Sequence, residues 1–305
     1  MMTAAYRTWL CAAIILCACT PQRPAPAQDE ESPTRGSVEL LCDDAIAPLL
    51  QAPLQRFDSL YPDAKVQLRV VSAREAMRQL LARTARLIVV ARDYLPDEDS
   101  LMRLYGVPAH HRVKLAEDAL VFLAHPSVPL DTLNVAQLRA ILLAEKGFRD
   151  YFRDWPREPE LVCPSTASSV YAQLVQQVLG GTHPRRRLRL LPTADSVLAY
   201  VATVPWSIGV GYLSQTAHLT SVRAIELGFV DSAGAYVSPK PVHQSYVLLR
   251  KYPYVVPIYA YLRDDLRNLA WTVATFLGTD AEVQRHFLQR GIVPAFARIR
   301  LVPEE

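Results

Sequence analysis

The chain has 305 residues, half of them hydrophobic and 21% charged, with a formal net charge of +3. That balance is that of a globular chain with a substantial core and excludes disordered and collagen-like classes, while the length favours two domains. So little net charge argues against a nucleic-acid-binding field, and 11 glycines against 23 prolines predict defined loops with few phosphate-cradling glycine turns.

Arg7 precedes a short apolar run over residues 9–16, with small residues after it. This is the anatomy of a secretory signal, and the run falls short of the about 20 apolar residues that a membrane-spanning helix needs. It ends in Leu16-Cys17-Ala18-Cys19, which resembles a bacterial lipobox with an unusual Cys17. That resemblance implies a signal peptide over residues 1–18, cleavage before Cys19, and lipidation of its thiol, palmitate included. An ordinary secretory signal and an uncleaved anchor are the alternatives. Residues 19–36 then hold the lipidated cysteine and a polar, proline-rich tether, too poor in apolar surface to fold, which keeps the body off the bilayer.

Val38, Leu40 and Leu41 form a short strand closed by Asp43-Asp44. Apolar residues then recur at helical spacing through Ile46, Leu49, Leu50, Leu54 and Phe57, although Pro48 and Pro53 threaten a kink or break. Residues 66–70 alternate as a strand, and Ser72 with Glu75 forms a capping-box pattern ahead of a helix through Met77, Leu80 and Leu81. The run 87–90 is continuously apolar, as in a parallel strand covered on both faces. Asp118 precedes a strand at 119–124, and 135–143 is helical. A short strand at 161–162 leads into hydroxyl-rich residues 165–169, and the helix at 170–179 stops at Gly180-Gly181. Residues 194–204 are helical and 207–212 a strand; 246–249 and 258–262 read as strands, 268–277 and 282–289 as closing helices. Strand and helix alternate nearly throughout, which predicts an α/β fold with mostly parallel sheets. Cys42 and Cys163 are either buried thiols or one bridge, the latter only if their Cα atoms come within about 7 Å.

Seven phrases, in order, resemble the PstS-like family of periplasmic binding proteins, the phosphate-binding components of ABC transporters. They are Phe57 with residues 60–66, 86–92, 116–126, 133–141, 197–201 with Ile208-Gly209, Tyr252-Pro253, and Gly291-Ile292-Val293-Pro294. The resemblance covers residues 37–298. It implies a two-lobed type II periplasmic-binding-protein fold with two crossover segments: lobe 1 over 37–118 plus 245–305, and lobe 2 over 119–244. Ligand would lie in the interdomain cleft, gripped by hinge closure. The implied protein is an extracytoplasmic, membrane-anchored monomer, not an enzyme and without a cofactor. It would capture a small oxyanion, phosphate, for an ABC permease.

In open α/β sheets, ligands sit beyond the carboxyl ends of strands, where helix N-termini present free N–H groups and the positive dipole end. Three places offer this: Asp43 and Asp44, Ser72, and the cluster of Ser165, Thr166, Ser168 and Ser169. The cluster stands at the family's Ser-Gly-Thr loop, here without its glycine. Each hydroxyl has an alternative as a plain N-cap, worth about 1 kcal/mol. Arg92 offers a bidentate fork to phosphate or, alternatively, a hinge or surface salt bridge. The family's phosphate-binding members commonly carry aspartate where this chain has Arg86 and serine near Ala91. Two carboxylates beside a dianion repel it, unless Asp43 accepts the proton of hydrogen phosphate and so selects protonated oxyanions over sulfate. Rival readings are another oxyanion or organic acid, a binding-fold lipoprotein that lost its ligand and serves envelope assembly, and, last, an enzyme using Asp43 and Asp44. Metalloprotease, nucleophile-elbow, P-loop and cysteine metal-site motifs are absent, and Arg185-Arg186-Arg187 reads as a solvated face.

Overall fold

The computed structural model describes residues 32–216 and 219–296. The signal, Cys19 and all but the last few tether residues therefore lie outside the described residues. Strand β1 (Gly36–Asp43) is the centre of a parallel set, flanked by β2 (Ala64–Val71) and β3 (Leu87–Val90). Its alternation decides the packing: Leu40 and Cys42 join the main core with helix α1 (Ala47–Leu60), and Leu41 packs in a second cluster with Ala73, Met77 and Leu80 of α2 (Ala73–Leu81).

The two prolines do not break α1. Pro48 lies in the first turn, where its missing N–H is no loss. Pro53 is internal, yet Leu49, Leu50, Leu54 and Phe57 around it are buried. Burying such side chains is worth roughly 1.5–3 kcal/mol each, enough to outweigh one proline. In α2, Ser72 Oγ accepts from Glu75 N at 3.3 Å, but the Glu75 carboxylate turns to Arg78 and Gln79. Only half of the expected capping box forms.

After α3 (Pro96–Leu104), strand β4 runs from His111 to Ala124, eight residues earlier than the sequence pattern suggested. The second half of the chain follows as β5 (Thr132–Asn134), α4 (Val135–Leu142), α5 (Phe148–Tyr151), β6 (Glu160–Pro164) and α6 (Ser169–Gln173). A π-helical turn, Leu174–Val178, extends α6, and Gly180 and Gly181 then take φ of 61° and 87° to end it. Next come β7 (Arg189–Leu191), α7 (Ala194–Thr203), β8 (Ser207–Tyr212), α8 (Leu213–Thr216), β9 (Arg223–Ala224), β10 (Glu226–Val230) and β11 (Tyr236–Val237). The chain closes with α9 (Gln244–Leu248), β12 (Val255–Leu262), α10 (Leu269–Thr279), α11 (Ala281–Gln289) and β13 (Val293–Pro294).

Residues 246–248 are thus helical and Leu249 caps the helix, where a strand was expected. Only Val247 of α9 is buried, so no two-faced burial demands extension, and the His243 ring accepts from Ser245 N to start the turn.

The main path of strands is β2-β1-β3-β12-β4-β8-β6-β7. At one end β1, β2 and β3 are parallel, and at the other β6 is parallel to both β7 and β8. The joins between these sets are antiparallel. Residues 111–119 of β4 pair with β12, and residues 120–124 pair with β8. Cys42 and Cys163 are both buried free thiols. Among the described residues no helix is long and apolar enough to cross a membrane.

Strand β8 lies hard against α7. A Cβ on Gly209 would fall 2.6 Å from Val201 Cγ2 and 2.8 Å from Val197 Cγ1. Gly209→Ala is therefore expected to cost about 1–3 kcal/mol by overpacking, read by urea denaturation. Adding Val201→Ala should give a double variant less destabilised than the sum of the singles.

Candidate functional site

Asp43 ends β1 and is fully buried, and neither carboxylate oxygen has a hydrogen-bond partner. Burial, then the negative charge of Asp44, raises its pKa from 3.8 to about 7, while the Ser169 hydroxyl and the Arg92 charge pull the other way. Tyr212, at the end of β8, donates to Ser169 Oγ at 2.8 Å and to Ala91 O at 3.4 Å. A second acid, Asp118 of β4, is also fully buried. Its Oδ1 accepts from Ala119 N at 2.7 Å and Ser214 N at 3.2 Å, but its Oδ2 has no partner, and burial pushes its pKa to about 6. The charges of both acids act on Tyr212, whose phenol is raised well above its ordinary value, first by burial.

Asp44 serves differently. Its Oδ2 accepts from Ala194 N at 2.9 Å, at the first turn of α7, where helix N–H groups and dipole favour an anion. In the serine turn, Ser165 Oγ accepts from Ala167 N and Ser168 Oγ caps α6 through Tyr171 N at 3.1 Å. The N-cap alternative is thus realised for Ser72 and Ser168. The same turn is bound to the first half of the chain: Arg74 N, at the start of α2, donates to Ala167 O at 3.0 Å. Gln173 Nε2 reaches Ala91 O at 2.8 Å, and Gln177 Nε2 reaches Val255 O at 2.9 Å, both from the α6 segment that passes into the π turn.

Arg92 departs from the free fork that the sequence suggested. Its Nη1 meets Glu98 Oε2 at 2.7 Å and its Nη2 meets Glu98 Oε1 at 2.8 Å, with both side chains more than nine-tenths buried. Nη1 also donates to Asp93 O. A buried guanidinium demands a carboxylate, and Glu98, in the first turn of α3, supplies it. The pair is a buried one, not the surface salt bridge that the sequence allowed as the alternative. Glu98→Gln would leave Arg92 with an uncompensated buried charge and should destabilise the fold by about 3–5 kcal/mol, measured by chemical denaturation.

Beside the serine turn lies a cavity of about 550 Å³ whose walls include Arg74, Arg92, Thr166, Ser168, Tyr171 and His183. The sequence-derived site residues therefore divide. Arg92, Thr166 and Ser168 line this cavity; Asp43, Asp44, Ser72, Ser165 and Ser169 do not, although Ser169 and Arg92 both act on Asp43. Sequence reasoning missed Asp118, Tyr212, Arg74, Glu98 and Gln173. One signal was available: with Glu117, Asp118 interrupts the apolar stretch that runs from Leu115 to Ala124. Among the described residues no cluster of three or more His, Cys, Asp or Glu is placed to hold a metal ion.

The raised pKa of Asp43 carries a sign. The folded state holds this proton more tightly than the unfolded chain, so the contribution to stability is full below about pH 3.8 and is lost as pH rises through about 7. Asp43→Asn cannot ionise. It should raise Tm by several degrees at pH 8 and leave it near the parent value at pH 4, followed by circular dichroism melts.

Two parallel strand sets joined by antiparallel crossover strands, with helix N-termini and polar side chains converging between them, define a two-lobed binding protein of the type II periplasmic kind. The family model described as a PBP superfamily domain matches residues 27–280, and the chain belongs to that superfamily. It is 24% identical over 222 residues to the phosphate-binding protein PstS of Pseudomonas aeruginosa, covering 68% of each chain. A Clostridium perfringens protein, described as a phosphate ABC transporter substrate-binding protein and solved with bound phosphate, superposes with a TM-score of 0.70 at 14% identity. That match covers 85% of this chain and 99% of the other. An ABC-type phosphate transport receptor from Vibrio cholerae gives 0.64 at 14% identity, over 85% of this chain and 100% of the other. Identities this low speak for the fold.

Proposed function

We propose that the chain is an extracytoplasmic solute-binding protein that captures phosphate for an ABC-type importer and makes or breaks no bond. The names of its relatives support the ligand and transport class. In this reading residues 37–118 with 245–305 form one lobe and 119–244 the other. Cys19 carries the lipid, the tether spaces a monomeric body from the membrane, and the permease receives the closed form.

The observation that carries the reading is Asp43: a buried carboxylate with no partner, at the end of the central strand, against the hydroxyl of a serine that opens α6. The oxyanion is held at the serine turn, where Thr166 and Ser168 line the cavity; Asp43, Asp44, Ser72, Ser165 and Ser169, which do not line it, reach the anion only once the two halves part, and Arg92 stays paired with Glu98. Asp43 is sealed while the Arg74–Ala167, Gln173–Ala91 and Asp44–Ala194 bonds hold the two halves together. Ligand enters when these part. An ionised Asp43 accepts the remaining proton of hydrogen phosphate, which sulfate lacks. Discrimination against sulfate should therefore grow as pH rises through about 7.

Calorimetric titration of the purified protein tests this. At pH 8 phosphate should bind at least tenfold more tightly than sulfate, the gap should narrow at pH 6, and Asp43→Asn should narrow it at both. Equal affinities at pH 8 would overturn the assignment. A second reading, an envelope interaction protein without ligand, draws on the Arg92 fork being filled by Glu98. A protein that binds neither anion would favour it.

A further inference from the structure

We propose that the chain has a membrane-contacting face, at the N-terminal ends of β6 and β8, where aromatic rings and arginines meet an anionic phospholipid surface. β6 runs from Glu160 at this face to Pro164, just ahead of the serine turn. The face therefore lies at the other end of the strand from the proposed ligand, and occupying one leaves the other open.

The face is built on stacked rings. Trp155 is buried and stacks with Phe152 and Phe148, centroids 4.6 and 5.6 Å away. Trp206 stands edge-on to Trp155, at 5.6 Å and 82°. Its backbone has φ of 62°, a region that bulky residues rarely adopt. It is locked there, because Trp206 N donates to Ser127 Oγ at 3.0 Å and Glu160 N donates to Trp206 O at 2.8 Å. Strain retained in this way is found where the position of a side chain matters. Half-buried Tyr151, Phe152 and Trp206 border one recess of about 680 Å³ together with exposed Arg153. Trp and Tyr gather at membrane–water interfaces, since each joins an apolar ring to a polar edge.

The charge complements an anionic leaflet. Glu158 pairs with Arg186 at 2.6 Å and Glu160 with Arg189 at 2.7 Å, which joins residues 185–189 to the face. Residues 145–160 and 185–189 carry eight basic side chains against five acidic ones, as large an excess as the whole chain's +3. Lys146, Arg149, Arg153, Arg157, Arg185 and Arg187 are exposed, and none forms an ion pair with a described residue. The Arg157 guanidinium lies 5.9 Å from the Trp206 ring centroid, so ring and charge are presented together. A merely solvated basic face needs no strained tryptophan and no rings left half open. Near an anionic leaflet each such cation gains roughly fivefold in affinity. A polar tether limits how far a body travels from its anchor without fixing which face it turns to the bilayer.

Co-sedimentation with vesicles tests this, using the full chain with Cys19→Ser so that no lipid is attached there. Vesicles of phosphatidylcholine mixed with phosphatidylglycerol should bind at least tenfold more tightly than phosphatidylcholine alone, and added salt should weaken the binding. The combined Arg153→Gln, Arg185→Gln and Arg187→Gln variant alters only exposed, unpaired side chains. It should melt near the parent temperature and bind the anionic vesicles at least tenfold more weakly. Trp206→Gly suits the positive φ and removes the ring; it should weaken binding severalfold. Equal binding to the two kinds of vesicle, or parental binding by either variant, would overturn the proposal. Binding to soluble poly-glutamate without binding to vesicles would assign the face to an acidic protein and overturn it as well.

Discussion

Strand β4 exchanges partners midway along its length. Its first part is hydrogen-bonded antiparallel to β12 and its last five residues to β8, so a single backbone is committed to both halves of the sheet. Every N–H and C=O in a buried strand needs a partner. The relative placement of the two parallel sets is therefore fixed locally by this ladder, and the polar cleft lies where helices from both sets begin. Asp118 stands at the point of exchange. Its partners Ala119 N and Ser214 N lie in β4 and in the short helix after β8, tying the switch to the second half of the chain.

The cleft built on this frame is unusual for its acids. Asp43 and Asp118 are both fully buried with at least one oxygen unpartnered, and the phenol of Tyr212 is influenced by both. Carboxylates in that setting hold protons toward neutrality. Burial makes both carboxylates hold their protons more tightly than exposed aspartates do, so their charge changes within a unit or so of neutral pH. The buried cation is neutralised just as closely, since Arg92 is closed by Glu98.

The π turn of the α6 segment links this chemistry to lobe contact. Gln173 and Gln177, four residues apart and hydrogen-bonded to each other at 2.7 Å, reach Ala91 O and Val255 O. π-Helical turns recur at functional sites because the wider turn re-aims side chains. Here the segment that follows the serine turn also holds the opposite strand ends through Gln173 and Gln177.

The sequence by itself determined the α/β class, the core strand at 87–90, the helix bounds within a residue or two for most elements, and the neighbourhood of the site. These follow from local periodicity and capping chemistry, which act over a few residues. Ser72, Ser168 and Asn134 cap helices as their types predict. Tertiary structure decided the rest. Pro53 stays helical because its neighbours are buried, and residues 246–248 turn into a helix because only Val247 among them is buried. Arg92 meets Glu98 only once α3 folds back, and Ser169 faces Tyr212, 43 residues away, only once β6 and β8 pair. The pKa of Asp43 is set by burial, which no stretch of sequence around it encodes. Contacts between distant elements decide which side chains are free to meet a ligand, and that is where periodicity carries no information.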